Sequence, residues 1–273
     1  MNKIVLITGS GSGMGRVSCE FLAELGYTVF AGTRDVSKFD NNNIKNIFPI
    51  DLDITSQESI NRVIADILQR YGKIDILVNN AGYGLVATVE DFSEAEMLSE
   101  YNVNVFGTLR TCKAVIPSMR KNRSGIIINI SSFLGRIGLP LLTLYNSSKY
   151  AVEGITDSLR YELREFDIRV HSIMPGFFST EFAKSNLVTN LHTFDENSPY
   201  RHLVTSLAPV ILDQINNGNN PLEVAHLIKE IIDDDNFVAR VTVGDKARKF
   251  IPMRKELSDE DFERRVRNYY NIK

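Results

Sequence analysis

The first fifteen residues constrain the fold more than any other stretch. Lys3 to Thr8 is a short apolar run rich in β-branched residues, and it reads as a buried strand. It leads directly into Thr8-Gly9-Ser10-Gly11-Ser12-Gly13-Met14-Gly15. A helical pattern follows, with Val17, Phe21, Leu22 and Leu25 on its inner face, ending near Gly26. A strand, a glycine turn and a helix start make a phosphate-binding corner. The glycines let the backbone approach an anion, and the free N–H groups and dipole of the helix N-terminus attract it. A Walker A loop is excluded, because no Gly-Lys-Ser/Thr follows. Ser12 adds a hydroxyl beside the phosphate.

Alternation of strand and helix continues along the chain. Tyr27 to Gly32 predicts a second strand, followed by Thr33-Arg34-Asp35. In nucleotide-binding folds an acid about 20 residues past the glycines holds the ribose 2′-hydroxyl, and an arginine there accommodates a 2′-phosphate. Arg34 favours NADP(H) over NAD(H), and Asp35 leaves NAD(H) open. Asn46 to Ile50 predicts a third strand, leading to Asp51-Leu52-Asp53. Thr55-x-x-Glu58 predicts a capping box opening a helix from Ser56 to Tyr71. Ile74 to Val78 predicts a fourth strand, with Asn79-Asn80-Ala81-Gly82 after it.

Ser93-x-x-Glu96 predicts a second capping box, opening one long helix to about Arg120. Asn104 falls in mid-helix, where asparagine competes for backbone hydrogen bonds. It is either an exposed polar position or a functional distortion of the helix. Ser124 to Ile130 predicts the fifth strand, delivering Ser131 and Ser132. A helix from Leu144 to Phe166 and a sixth strand from Ile168 to Ile173 follow, the strand delivering Pro175-Gly176. Pro221 opens a helix to about Asp234, Ala239 to Val243 predicts the seventh strand, and Ser258 caps a terminal helix from Asp259 to Tyr270. The β-α alternation predicts an α/β fold, a doubly wound parallel sheet of about seven strands in one Rossmann-type domain over residues 1–273. The polar residues singled out lie just past strand carboxyl ends or on the following helix, where such sheets bind ligands.

Tyr145 and Lys149 stand i, i+4 on the helix after the fifth strand, so both face the same side. A phenol ordinarily keeps its proton to a pKa of about 10, and a nearby ammonium favours the phenolate. Tyr145 thereby becomes an acid or base for use near neutral pH. Ser132 can donate to an oxygen held beside the Tyr145 hydroxyl. The three suit proton exchange with an alcohol or ketone.

Taken in order, these residues resemble the short-chain dehydrogenases/reductases over Met1 to Thr180, and more loosely beyond. Thr8-Gly9-x-x-x-Gly13-x-Gly15 is similar to the family's cofactor motif, and Asn79-Asn80-Ala81-Gly82 to its sheet-stabilising motif. Asn104, Ser132, Tyr145 and Lys149 resemble its catalytic tetrad at the expected spacings. The resemblance implies Tyr145 as general acid/base. It implies that Lys149 lowers the Tyr145 pKa and holds the nicotinamide ribose, that Ser132 orients the substrate oxygen, and that Asn104 anchors a water. It places Gly9, Gly11, Ser12, Gly13, Met14 and Gly15 against the cofactor, with Asp53 at the adenine and Asn80, Ala81 and Gly82 on the adenosine side. Pro175, Gly176 and Thr180 match the segment that closes over the nicotinamide, Thr180 bonding the carboxamide. Gly11 is an added glycine, expected only to loosen the turn, and Phe178 stands where branched aliphatics are usual. Val29 to Asp35 and Asn79 to Gly84 are similar to hydroxysteroid and retinol dehydrogenase-like members. The resemblance also implies a homodimer or homotetramer through the helices flanking the fifth strand.

Phe177 to Asn220 has poor strand signal and many apolar residues, among them Phe177, Phe182, Leu191 and Leu207. It reads as a pair of amphipathic helices over the core, or as a lid whose apolar face forms the substrate pocket. Leu139, Leu141 and Leu142 are expected to line the same pocket, with Ser132, Tyr145 and Phe177. A bulky apolar alcohol or carbonyl compound is the expected substrate, with Lys184 and Arg201 the charged exceptions. Lys246 to Lys255 carries five basic residues and reads as a solvated rim beside a subunit contact.

Several classes drop out. A net charge of −3 argues against nucleic acid. No apolar run approaches the ~20 residues of a membrane span, and the N-terminus does not read as a secretion signal. Cys19 and Cys112 read as reduced thiols of a cytoplasmic protein. His171 reads as a core residue, and the histidines show no metal-ligand spacing. Two other functions stay open. A silent NADP(H)-sensing regulator would usually lack part of the tetrad. A sugar-nucleotide epimerase or dehydratase would need glycine where Ser12 stands.

Overall fold

Strand β1 (Ile4–Thr8) is buried along its whole length. Val5 and Ile7 enter one core, Ile4 and Leu6 another. Side chains alternate across a strand, so an unbroken apolar run marks a sheet covered on both faces. The computed structural model describes residues 3–40, 44–180 and 186–272.

The other strands are β2 (Thr28–Thr33), β3 (Ile47–Asp51), β4 (Ile76–Asn79), β5 (Gly84–Val86), β6 (Gly125–Ile130), β7 (Ile168–Pro175), β8 (Leu187–Thr189) and β9 (Arg240–Val243). Seven form one sheet in the order β3-β2-β1-β4-β6-β7-β9, every pair parallel. Helices α1 (Gly13–Glu24) and α7 (Leu222–Asp233) bury their apolar faces in the first core. On the opposite face α2 (Gln57–Tyr71), α4 (Thr108–Asn122) and α5 (Thr143–Leu163) build the second. The doubly wound parallel sheet is therefore as the alternation predicts, in one Rossmann-type domain.

A buried polar chain crosses the sheet. Thr111 donates to Asn79 at 2.6 Å, Asn79 to Asn129 at 2.9 Å, and Asn129 to Thr156 at 2.9 Å. It ties α4, β4, β6 and α5 together, and each member finds a partner, which keeps the burial of amides tolerable.

Four expectations change. Helix α2 is capped by Ser56, which accepts from the Ser59 N–H, and not by Thr55, whose hydroxyl bonds Asp53 at 2.7 Å. Ser93 and Glu96 do form their capping box, but the helix they open is not continuous. It runs as α3 (Glu94–Tyr101), a π-helical segment over Asn102–Gly107, and then α4. Among the described residues of 177–220 there are one long helix, α6 (Arg201–Asn216), and the short strand β8, which pairs with β5. Three-residue strands show too little periodicity to be read from sequence. Phe182 and Lys184 lie outside the described residues.

The basic stretch is not wholly a solvated rim: as helix α8 (Asp245–Glu256) it buries one face. Its Ala247, Phe250 and Ile251 are buried in a third core shared with α6 and α9 (Asp259–Tyr270). Phe250 packs edge-on to Tyr269 and stacks on Tyr270, at 5.2 and 6.1 Å between ring centroids. Apolar residues at helical spacing among the lysines bury one face and leave the charge outside.

Candidate active site

Strand order reverses between β1 and β4, with β2 and β3 on one side and β6, β7 and β9 on the other. Such a reversal opens a crevice beyond the carboxyl ends of the two central strands. The glycine turn leaves β1 there, and Asn80 to Gly82 leave β4 there.

The two loops are bonded to each other. Asn80 Nδ2 donates to the Thr8 and Gly9 carbonyls at 2.9 and 3.0 Å, and the Asn80 and Ala81 N–H groups donate to Thr8 Oγ1 at 3.1 and 3.0 Å. The Asn80 amide thus holds the turn that was expected to hold the cofactor. A Cβ on Gly15 would lie 2.4 Å from Asn80 Nδ2 and 2.6 Å from the Gly9 oxygen. One on Gly11 would lie 2.9 Å from Thr33 Oγ1, so this glycine permits close approach to β2. Ser12 enters α1 extended with no side-chain cap, and the first turn carries no acid. Its N–H groups are left for an anion, so the corner fits a nucleotide phosphate. Thr180 sits against Gly13, 3.3 Å from where a Cβ would be.

At the end of β2, Arg34 is exposed. The Asp35 carboxylate caps the 3-10 turn at Val36–Lys38, accepting from the Ser37 N–H at 3.1 Å and its hydroxyl at 2.5 Å. Burial pushes the Asp53 carboxyl up. Two bonds from Thr55 and the charges of Arg34 and Arg110 outweigh that and hold it below its ordinary range.

Ser132 leaves β6 and accepts from the Leu134 N–H at 3.1 Å. Its hydroxyl bonds that of Tyr145, in the first turn of α5. Lys149, one turn on, donates to the Ile130 carbonyl at 2.9 Å, with Nζ 5.6 Å from the centre of the Tyr145 ring. The i, i+4 spacing puts Tyr145 and Lys149 on one side of α5, but the phenol pKa is not lowered as expected. Burial pushes the Tyr145 phenol up, Ser132 opposes this, and Glu100 adds to it. Lys149 is itself desolvated, which pushes its ammonium down to about 8 against the pull of Glu100 and Glu153.

Asn104 lies in the π-helical segment and is buried. Of the two readings open for it, the distorted helix is the one observed. Such one-turn bulges turn a side chain inward that a regular helix would carry round its surface. Asn104 bonds the Tyr83 backbone and donates to Ser148 Oγ at 3.0 Å. Glu100, one turn earlier, is fully buried, and burial pushes its carboxyl up to about 8. Sequence reasoning missed it, although its i, i+4 spacing from Asn104 puts both on one face.

A cavity adjoins these groups. Phe133, Leu134, Leu142, Phe177, Leu187 and Ile211 line it, with Ser132 and Tyr145 at the polar end and Met14, Pro175, Gly176 and Thr180 on the side of the glycine turn. Leu139 and Leu141 are not in its wall. Both pack in the third core, and the Leu139 carbonyl accepts from Asn146 Nδ2 at 2.9 Å. Leu187 is one of the apolar lid residues expected at the pocket, whereas Ile211 was missed, because a lid without strand signal gives no register. His171 is a core residue, with Nδ1 2.9 Å from the Val238 carbonyl.

The reversed strand order, with a glycine turn at the reversal, defines a dinucleotide-binding α/β protein. A model of the short chain dehydrogenases matches residues 3–190, and the chain belongs to that family. It is 33% identical to a 3-ketodihydrosphingosine reductase of Bacteroides thetaiotaomicron, over 99% of each chain. It is also 33% identical to retinol dehydrogenase 8 of Bos taurus, over 84% of this chain and 78% of the other. A crystal structure of a short-chain dehydrogenase from Streptomyces avermitilis superposes with a TM-score of 0.84 at 31% identity, covering 99% of this chain and 96% of that one. Among similar structures, one 27% identical holds NADP and one 23% identical holds NAD.

Proposed function

We propose that the protein transfers a hydride between NADP(H), in preference to NAD(H), and a ketone or alcohol carried on a bulky apolar substrate, with Tyr145 as general acid/base. One observation carries this reading. Ser132 and Tyr145 meet at the polar end of an apolar cavity that also reaches Met14 at the glycine turn, with Lys149 Nζ 5.6 Å from the Tyr145 ring centre. The relative matched over its whole length, named for a ketone on a long aliphatic chain, supports the same substrate class. The match to retinol dehydrogenase 8 supports an apolar alcohol or aldehyde in the same way, and with it the hydroxysteroid/retinol-like branch.

The residues divide the work as follows. Gly9, Gly11, Ser12, Gly13, Met14 and Gly15 bind the nucleotide phosphates, and Ala81 and Gly82 line the adenosine side, braced by Asn80. Asp53 stands at the adenine, and Arg34 reads a 2′-phosphate. With Asp35 turned to Ser37, Arg34 is the exposed charge at the end of β2. Pro175, Gly176 and Thr180 flank the nicotinamide. The bound nucleotide supplies or accepts the hydride. Ser132 donates to the substrate oxygen and aligns it with the Tyr145 hydroxyl. A phenol that keeps its proton is the right donor to the alkoxide left by hydride addition. Lys149, as ammonium, then stabilises the phenolate and holds the ribose. Asn104 anchors a water on the proton path, and Phe177 packs against the substrate. The segment 177–220 closes the cavity as a lid within one 273-residue domain.

A regulator that senses NADP(H) without turnover gains no support from a site in which all four tetrad residues stand together. Cys19 and Cys112 are buried and unpaired, as in a reducing cytoplasm. Among the described residues no helix is long and apolar enough to cross a membrane. Leu109, Tyr150 and Tyr161 lie exposed on α4 and α5 and support self-association through those helices. The test is NADPH oxidation with aliphatic ketones of increasing chain length, 3-ketodihydrosphingosine included. Turnover that rises with chain length supports the proposal, and turnover confined to small polar carbonyls opposes it.

A further inference from the structure

Glu100 is the acid that the reaction as described leaves unused. It sits in the last turn of α3 with no exposed surface. Its Oε2 accepts from the Leu85 N–H of β5 at 3.3 Å, and its Oε1 lies 3.4 Å from Asn104 Nδ2. Both bonds are long for a buried carboxylate, which needs a cation or several close donors to stay ionised. Lys149 on α5 stands just beyond Asn104, since a Cβ on Gly82 would lie 3.1 Å from Asn104 Oδ1 and 3.6 Å from Lys149 Nζ, and its charge is the positive one that acts on Glu100. Tyr145 on α5 and Tyr83, ahead of β5, both feel its charge. Glu96 stands one turn back on its own helix and also acts on Tyr83, while Glu153 acts on Lys149. Strand β5 and the π-helical segment bring no titratable side chain to it.

We propose that Glu100 is a positioning residue that sets the protonation of Lys149, and so the pH range over which Tyr145 can exchange its proton. The proposal rests on the reading above that Lys149 and Tyr145 manage that proton. When Glu100 is ionised it holds a proton on Lys149. When it is neutral that hold is gone, and Lys149 keeps only Glu153. Burial moves the two groups toward each other, the carboxyl up and the ammonium down, so both titrate in the same alkaline range. Leu85 and Asn104 fix the carboxyl in place, and Asn104 binds it to the bulge that also clamps Tyr83. A change at Glu100 thus reaches the proton path through Lys149, without Glu100 touching substrate.

The test uses the whole protein, with and without NADPH. Glu100 is fully buried and its carboxyl is pushed up, so infrared spectroscopy can follow its proton. A protonated-carboxyl band is expected to persist at about pH 6.5, where ordinary carboxyls are ionised, and to fade on the alkaline side. Glu100→Gln removes the band and mimics the neutral acid. NADPH affinity, read by nicotinamide fluorescence, is expected to coincide for wild type and Glu100→Gln at acidic pH. In the variant it falls about one pH unit earlier on the alkaline side, because Lys149 has lost its anion. A band already gone at about pH 6.5 overturns the proposal, even if the variant fails to fold. So do affinity profiles that run parallel at every pH, the mark of a purely structural role. Neither measurement needs a ketone. A protein that gives both signatures and reduces no ketone refutes the proposed function and leaves the role of Glu100 standing.

Discussion

Asn104 grips Tyr83 by both of its backbone groups. Its Oδ1 accepts from the Tyr83 N–H at 3.0 Å, and its Nδ2 donates to the Tyr83 carbonyl at 2.8 Å. The next residue, Gly84, lies against the Tyr145 ring, where a Cβ would stand 3.2 Å from Cδ2. The bulge in the α3–α4 helix therefore sets the wall behind Tyr145. Asn104→Ala leaves both backbone groups without these partners and is expected to cost about 1–3 kcal/mol of stability. Asn104→Asp keeps the acceptor and is expected to lose less. Urea denaturation of the three proteins orders them.

Arg34 is the exposed charge at the end of β2, while Asp35 caps its own turn. Arg34→Leu is expected to weaken NADPH binding about 10- to 100-fold, the value of one or two charge-assisted bonds. NADH binding is expected to stay unchanged. Fluorescence titration with each nucleotide measures the split.

Gly15 has no room for a methyl group, because a Cβ would press on Asn80 Nδ2 and the Gly9 carbonyl. Gly15→Ala is expected to push the two loops apart, destabilising the fold by about 1–3 kcal/mol. It also weakens NADPH binding, because the same loops frame the phosphate corner. Thermal melts with and without NADPH separate the two effects.

His171 makes stability depend on acidity. Burial pushes its imidazole down, Arg169 and Arg160 add to this, and the bond to the Val238 carbonyl opposes it. The folded state prefers the neutral ring, and the unfolded chain takes up a proton near its ordinary 6.5. The contribution is complete above that value and is lost as the pH falls through it. Between about pH 7.5 and 5.5 the wild type is expected to lose on the order of 1 kcal/mol more than His171→Gln loses. Paired denaturation curves at the two pH values give the difference.

Much of the sheet was legible because its strands are short, apolar and punctuated by glycine or asparagine. The order of Ser132, Tyr145 and Lys149 was legible because i, i+4 spacing on a helix fixes a face. Contacts that depend on tertiary enclosure were not. The spacing of Tyr145 and Lys149 says nothing of how deeply either is buried, and burial reverses the direction of the phenol's shift. Leu139 and Leu142 look alike in sequence, yet only Leu142 reaches the cavity. Leu141 between them adopts a left-handed φ of 65°, which no apolar pattern announces. Glu100 was hidden for the same reason, since an acid on a capped helix ordinarily faces water.

The central claim is that Tyr145 delivers the proton in an NADPH-dependent reduction of an apolar ketone. Comparing wild type with Tyr145→Phe, in NADPH binding and in NADPH oxidation with a long-chain ketone, tests it most directly. The account predicts equal NADPH affinity and turnover lower by about 10²- to 10⁴-fold in the variant, the usual worth of a positioned acid. Turnover retained by Tyr145→Phe would contradict it, as would a wild type that binds NADPH and reduces no ketone.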